Sequence, residues 1–415
     1  MSDSEYDKLL SFQEALELVK LPPDSTSQYR FIGTRSAYLP GCDYPPEKEM
    51  PSFHSAAYGG HVYAQSALAA CRTWSEMEDQ KRIPKFQKLG LHTIHGFFTA
   101  PGNRHRPFIY SCTPLTSTRS FSTLSVTAYQ PSVPSSSSSP TNDHFPVSDA
   151  ALPLPPSPCF TAIISFKASE PHSAGIAIQE PPPQIRFREV LGSRKPTDWP
   201  PAPPVDIDGV RALVGEDVVG RFPIVEMRKV DMTAYNEGKP VHERRELLLY
   251  RLLKPLPGDL VDGEGGQGHA QHDAACANNH AIVHAYVVDR NGLLMACNHL
   301  GMGWTLGKAA SLSYSLVFHT NVEECVMRYG ARETGLDLNP DWESRSRGGG
   351  KAQGEDEEGV WWIQEAWFPR AGAGRGIVES KVWSPGGVHV ATEYQDGLIR
   401  SFEKEEQKPK WNPKL

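Results

Sequence analysis

The stretch His284-Ala-Tyr-Val-Val-Asp289-Arg-Asn-Gly-Leu-Leu294 carries a single carboxylate at the end of an apolar run. Downstream, Ala310-Ser311-Leu-Ser-Tyr-Ser315 sets hydroxyls into a strand-like run, and Glu393-Tyr-Gln395-Asp-Gly-Leu-Ile-Arg400 sets a carboxamide into another. A carboxylate accepts a proton from water, while Ser and Gln side chains fix the water's orientation by hydrogen bonds. Asp289, Ser311 and Gln395 therefore suit hydrolysis without a covalent nucleophile. Asp289 closes an apolar helix, where desolvation raises a carboxyl pKa and makes a better base. The competing reading is a solvent-facing acid paired with Arg290. Ser313 and Ser315 lie two and four residues beyond Ser311, hence on one strand face with it, so alternation alone does not choose among the three.

Both halves of the chain repeat one order of elements. In the first, Val62, Leu68, Cys71 and Trp74 predict a buried helix over residues 60–74, opened by Gly59-Gly60. Strand-like runs follow at 91–99, 106–115, 121–129 and 160–167, the last with Phe160, Ala162, Ile164 and Phe166 in alternation. The second half predicts strands at 222–229, 244–253 and 311–319 and a short buried helix at 279–288. Strands at 376–383 and 388–402 flank Ser384-Pro-Gly-Gly387, a hairpin signal. The division is a first domain over 1–179, a Pro-rich stiff linker over 180–206, a second domain over 207–403 and a flexible tail over 404–415. Within the domains, the Ser- and Pro-rich insertion 131–158 is expected to loop out unpacked, and 332–359 to be solvated.

The segments Ala57-Tyr-Gly59-Gly60-His61-Val62, His92-Thr-Ile-His95-Gly-Phe-Phe98, Pro101-Gly102 and Arg119-Ser-Phe-Ser-Thr123, with the Asp289, Ser311 and Gln395 segments, resemble the acyl-CoA thioesterase II (TesB-like) family. The resemblance implies an α+β double hotdog, two tandem domains each with a long helix packed on an antiparallel sheet. It also implies hydrolysis of fatty acyl-CoA to free fatty acid and CoA. Asp289 would activate water, Ser311 and Gln395 would hold it, and backbone N–H groups would receive the oxyanion. Gly60, His61 and Arg119 would meet the substrate, with Arg104 and Arg119 suited to CoA phosphates. The chain departs from the family at His61, commonly Gln, at Ser313-Tyr314, commonly Asp-His, and at Ser117-Thr118, commonly Asp-Gly. Arg290-Asn-Gly is also one residue longer. Two other readings are an enoyl-CoA hydratase or dehydratase of the same fold, with His299 beside Asp289, and a non-catalytic acyl-CoA-binding scaffold.

A net charge of -7, from 42 Lys and Arg against 49 Asp and Glu, supplies no concentrated basic field and argues against a nucleic-acid surface. A polyanionic CoA needs only a local basic patch. Seven dispersed cysteines without a Cys-x-x-Cys pair read as reduced thiols of an intracellular protein. The acidic N-terminus lacks a secretory signal, and no run of roughly 18 apolar residues predicts a membrane span. Pro413-Lys414-Leu415 is a conservative variant of the Ser-Lys-Leu address, so the peroxisomal import receptor is an expected partner and the peroxisome, or else the cytoplasm, the expected location. No cofactor is implied and no metal: His269, His272, Cys276, His280 and His284 fit no zinc spacing. Gly263-Glu-Gly-Gly-Gln-Gly268 follows no strand, and no Gly-x-Ser-x-Gly elbow occurs. Open hotdog strand edges predict a homodimer or larger homo-oligomer through sheet extension.

Overall fold

The computed structural model describes residues 9–25, 27–41, 57–81, 89–135, 137, 144–171, 178–192, 194–214, 222–258, 274–302, 306–329, 336 and 360–401. His269, His272, Gly263 to Gly268, the tail tripeptide and nearly all of 332–359 lie outside the described residues.

Among the described residues, twelve strands form one antiparallel sheet: β1 (Leu18–Leu21), β2 (Tyr29–Gly33), β3 (Leu89–Phe98), β4 (Ile109–Ser117), β5 (Phe121–Tyr129), β6 (Phe160–Ala168), β7 (Val225–Lys229), β8 (Glu246–Leu252), β9 (Leu306–Phe318), β10 (Trp362–Gly372), β11 (Arg375–Trp383) and β12 (His389–Ser401). Their spatial order is β1-β2-β4-β5-β6-β3-β9-β12-β11-β10-β8-β7. Read inward from either edge, each half shows the same succession of six strands. The halves join where β3 pairs with β9, from Thr93 opposite Val317 to Phe97 opposite Ser313. The repeat extends to irregularities. On β3 a register shift against β6 leaves His92 as the extra residue between Leu91 and Thr93, and on β9 a shift against β12 leaves Leu312 extra between Ser311 and Ser313.

Two central helices, α1 (Gly59–Lys81) and α2 (Ala274–Val288), pack against each other on the inner face of this sheet. The start of α1 meets the end of α2, so they run antiparallel. A helix between a sheet and another helix is apolar nearly all round. Ala64, Ala67, Ala69 and Ala70 on α1 and Ala281, Ile282, Val283, Ala285, Val287 and Val288 on α2 are all buried in the main core. A third helix, α3 (Gly292–His299), follows α2 after a turn at Asn291, whose left-handed φ of 65° an Asn tolerates better than most residues.

Two segments pack more closely than their prolines suggest, and for the insertion this corrects the expectation of an unpacked loop. The stiff linker 180–206 docks on the second half. Phe187, Leu191 and Trp199 join Leu247, Leu249, Trp361, Ile363 and Trp383 in a second core on the outer face of β8, β10 and β11. Its Pro200 to Ala202 also pairs with β7, with Ala202 N–H donating to Met227 O and Lys229 N–H to Pro200 O. That edge is therefore covered rather than open for sheet extension. The insertion does run between β5 and β6, yet its described part is packed. Phe145 is buried, its N–H donates to Thr34 O, and Ala150 lies on the Leu21, Ile32 and Ile109 cluster of β1, β2 and β4. In both segments scattered aromatic and aliphatic residues among the prolines supply enough apolar area to dock, although the prolines prevent regular structure.

Candidate active site

Asp289 follows the last residue of α2 and is half-buried at the end of that helix's apolar run. One carboxylate oxygen accepts the Gly60 N–H at 2.7 Å, from the first turn of α1. The other accepts from Gln395 Nε2 on β12. The second Nε2 proton goes to Ser311 Oγ at 2.7 Å. Since Nε2 serves two acceptors, the serine hydroxyl accepts from Gln395 and keeps its own proton to donate elsewhere. Asp289, Ser311 and Gln395 thus form one connected set.

The bulge at Leu312 explains how Ser311 reaches it. Regular alternation would place Ser311 with Ser313 and Ser315. The extra residue instead turns Ser311 to the inner face, where it lies opposite Gly397. Ser313 and Ser315 stay on the outer face, and Ser315 Oγ contacts His95 Nδ1 across the β3–β9 seam at 3.1 Å.

Glycines allow the close approach. A Cβ on Gly60 would lie 2.5 Å from Tyr286 O, and one on Gly292 would lie 2.4 Å from Gln395 Oε1. Burial raises the Asp289 pKa to about 7, opposed by the Gly60 N–H, the Gln395 amide and then the Arg290 charge. Arg290 itself turns away, donating to Asn291 Oδ1 and Pro203 O. Asn291 in turn donates to the buried Asp206 of the linker at 3.1 Å, which fixes the turn behind Asp289.

The other expected residues are placed unequally. Gly60 is in the site through its N–H. His61 is buried beside Phe108 inside the first half, its pKa lowered to about 4 by burial, and among the described residues it makes no hydrogen bond to the three site side chains. Arg119 stands in the β4–β5 turn, where Phe121 pairs with Lys167. Phe98, which borders Gly59, lies opposite Phe160 at the other end of β6, so Arg119 is remote from Asp289 within this chain. Arg104 is in the loop at the Gly59 end, near Gly102, whose carbonyl accepts the Ala57 N–H. His299 ends α3 with Nε2 3.3 Å from Glu246 Oε1, a full helix length from Asp289. His284 is also occupied, by Tyr250 OH at 2.7 Å and Cys325 O at 2.9 Å.

Sequence reasoning missed an inner shell. The Tyr58 hydroxyl donates to Tyr286 O at 2.6 Å and that of Tyr314 to Ala285 O at 3.1 Å, holding the end of α2 from both sides. Tyr63 stacks on Tyr314 with centroids 3.5 Å apart. Glu393, two residues before Gln395, is fully buried on the same face of β12.

Residues 46–166 match the profile of the acyl-CoA thioesterase N-terminal domain. That match assigns the first half, and only it, to an acyl-CoA thioesterase domain. Among solved structures, this chain is similar to the acyl-CoA thioesterase II TesB2 of Mycobacterium marinum, at 19% identity and a TM-score of 0.51 over 97% of this chain and 99% of that one. It is also similar to the tesB protein of Mycobacterium avium subsp. paratuberculosis, at 17% identity and a TM-score of 0.50 over 94% and 98% of the two chains. At such identity the likeness speaks for the fold alone, the double hotdog, along almost the whole chain. No curated protein sequence is significantly similar to it.

Proposed function

We propose that this protein is a thioesterase that hydrolyses fatty acyl-CoA to free fatty acid and CoA by direct attack of water. The observation that carries the reading is a carboxylate tuned to about 7 and tied, through one carboxamide, to a serine hydroxyl with a proton to give. Near neutral pH such a carboxylate is both present in its ionised form and basic enough to draw a proton from water. Gln395 fixes the carboxylate and the hydroxyl relative to one another, so a water between them has one acceptor and one donor in set positions. The hydratase reading loses its histidine, since His299 is engaged by Glu246 at the far end of α3.

The test is CoA release from palmitoyl-CoA followed with a thiol reagent. The wild type should release CoA, with kcat/KM rising through about pH 7 as Asp289 ionises. Asp289→Asn should lower the rate by about 10²–10⁴. Tight binding of palmitoyl-CoA without release would favour the scaffold reading instead.

A further inference from the structure

We propose that Glu393 is the proton donor of this site and works opposite Asp289, an assignment that rests on the hydrolase reading above. Glu393 lies on β12 opposite Leu316 of β9, on the inner face it shares with Gln395. Its side chain is fully buried, and neither carboxyl oxygen has a hydrogen-bond partner among the described residues. A buried charge without a partner is costly, and such a group stays neutral. Burial first, and the neighbouring Asp289 second, push its pKa well above the usual carboxyl range.

The groups facing it come from every element packed there. Tyr58 stands just before α1 and Tyr63 in its first turns, Tyr314 is on β9, and Asp289 follows α2 with Arg290 next to it. Tyr58 and Tyr314 have already given their protons to carbonyls of α2. The Tyr63 hydroxyl, like Glu393, has no partner among the described residues. No cation among these neighbours forms an ion pair with Glu393, so nothing there favours the ionised form. Two carboxyls in one site, one poised to ionise near neutrality and one held protonated, are the arrangement of a general base and a general acid.

The steps balance. Asp289 takes a proton from water as the water oxygen bonds to the thioester carbon and the carbonyl electron pair moves to oxygen. When that pair returns, the C–S bond breaks, sulfur keeps its electrons, and the Glu393 proton passes to sulfur. Asp289 then releases its proton and Glu393 regains one. The net change is thioester plus water to acid plus thiol.

The experiment compares two thioesters. One is palmitoyl-CoA, whose alkyl thiolate gains from protonation. The other is the palmitoyl ester of thiophenol, whose thiolate leaves readily without it. With palmitoyl-CoA, Glu393→Gln should lower kcat about 10²-fold with little change in KM, and should remove the fall in rate at alkaline pH. With the thiophenol ester it should stay near the wild-type rate. Equal losses on both esters would show a packing role and overturn the proposal, as would a wild-type rate on both. Should Glu393→Gln not fold, the wild type alone decides: an alkaline fall with palmitoyl-CoA and none with the thiophenol ester supports the assignment, and the same fall with both overturns it. A wild type that hydrolyses neither ester overturns the hydrolase reading itself, which sets that failure apart from this one.

Discussion

Asp289 is an acid whose surroundings favour its proton, and that has a consequence for stability as well as rate. Its ordinary value is 3.8 and its folded value about 7. Between roughly pH 4 and 7 the folded chain therefore holds a proton that the unfolded chain has lost, so this residue's contribution to stability falls as pH rises through that window. Above about 7 the loss is complete, on the order of a few kcal/mol for a shift of this size. Asp289→Asn has no such titration. Its urea midpoint relative to wild type should climb between pH 5 and pH 8, and a difference that stays flat across that range would refute the raised value. This residue was legible in the sequence because one carboxylate at the end of an apolar run has few places to go. Ser311 was legible as a type but not as a direction, since a bulge is set by pairing between distant strands. Glu393 was not legible, because Glu393-Tyr-Gln-Asp396 is polar on both faces and an alternating reading sends Glu393 either way.

Among the elements, α3 shows how little room the site leaves. Its first residue, Gly292, faces the Gln395 amide so closely that a methyl group must displace it. Gly292→Ala should lower kcat about 10²-fold, the usual effect of a catalytic group moved by an ångström, while the melting temperature changes little. Equal activity in the two proteins would mean that Gln395 is not held by this contact. The linker makes a second case. Trp199→Ala should cost about 3–5 kcal/mol in urea unfolding, whereas truncation on a solvated spacer costs within about 0.5 kcal/mol. The sequence predicted β7 and β8 although they are buried on both faces, so a bare face helps the reading without being a condition for it. β5 and β6 alternate cleanly and were found from the sequence, since among the described residues their outer face has no cover. β10 begins Trp362-Ile-Gln-Glu-Ala366, buried throughout because helices lie on one side and the linker on the other, so it has no period of two to detect.

Over the whole molecule the two halves are the same design with different contents. The matching bulges align Ser311 with Leu91, and the matching pairs Gln395–Tyr314 and Ile164–Ile94 align Gln395 with Ile164. The first half therefore keeps the geometry of a site and fills it with apolar side chains. What it supplies to the second half is the Gly60 N–H together with Tyr58 and Tyr63. Among the described residues nothing covers the outer face of the middle strands beyond the reach of linker and insertion, and Phe97, Ile163 and Tyr394 are exposed there. The seam between β3 and β9 also bears on how the chain is made. Some two hundred residues separate these partners, so a newly synthesised first half emerges with β3 as an unpaired edge, and at ordinary rates of about 5–20 residues per second it waits many seconds for β9. An open edge flanked by exposed aromatics is a template for pairing with the wrong chain. Refolding from urea should accordingly be slow, and its yield should fall steeply as protein concentration rises; a yield independent of concentration would show that the first half protects its own edge until its partner arrives.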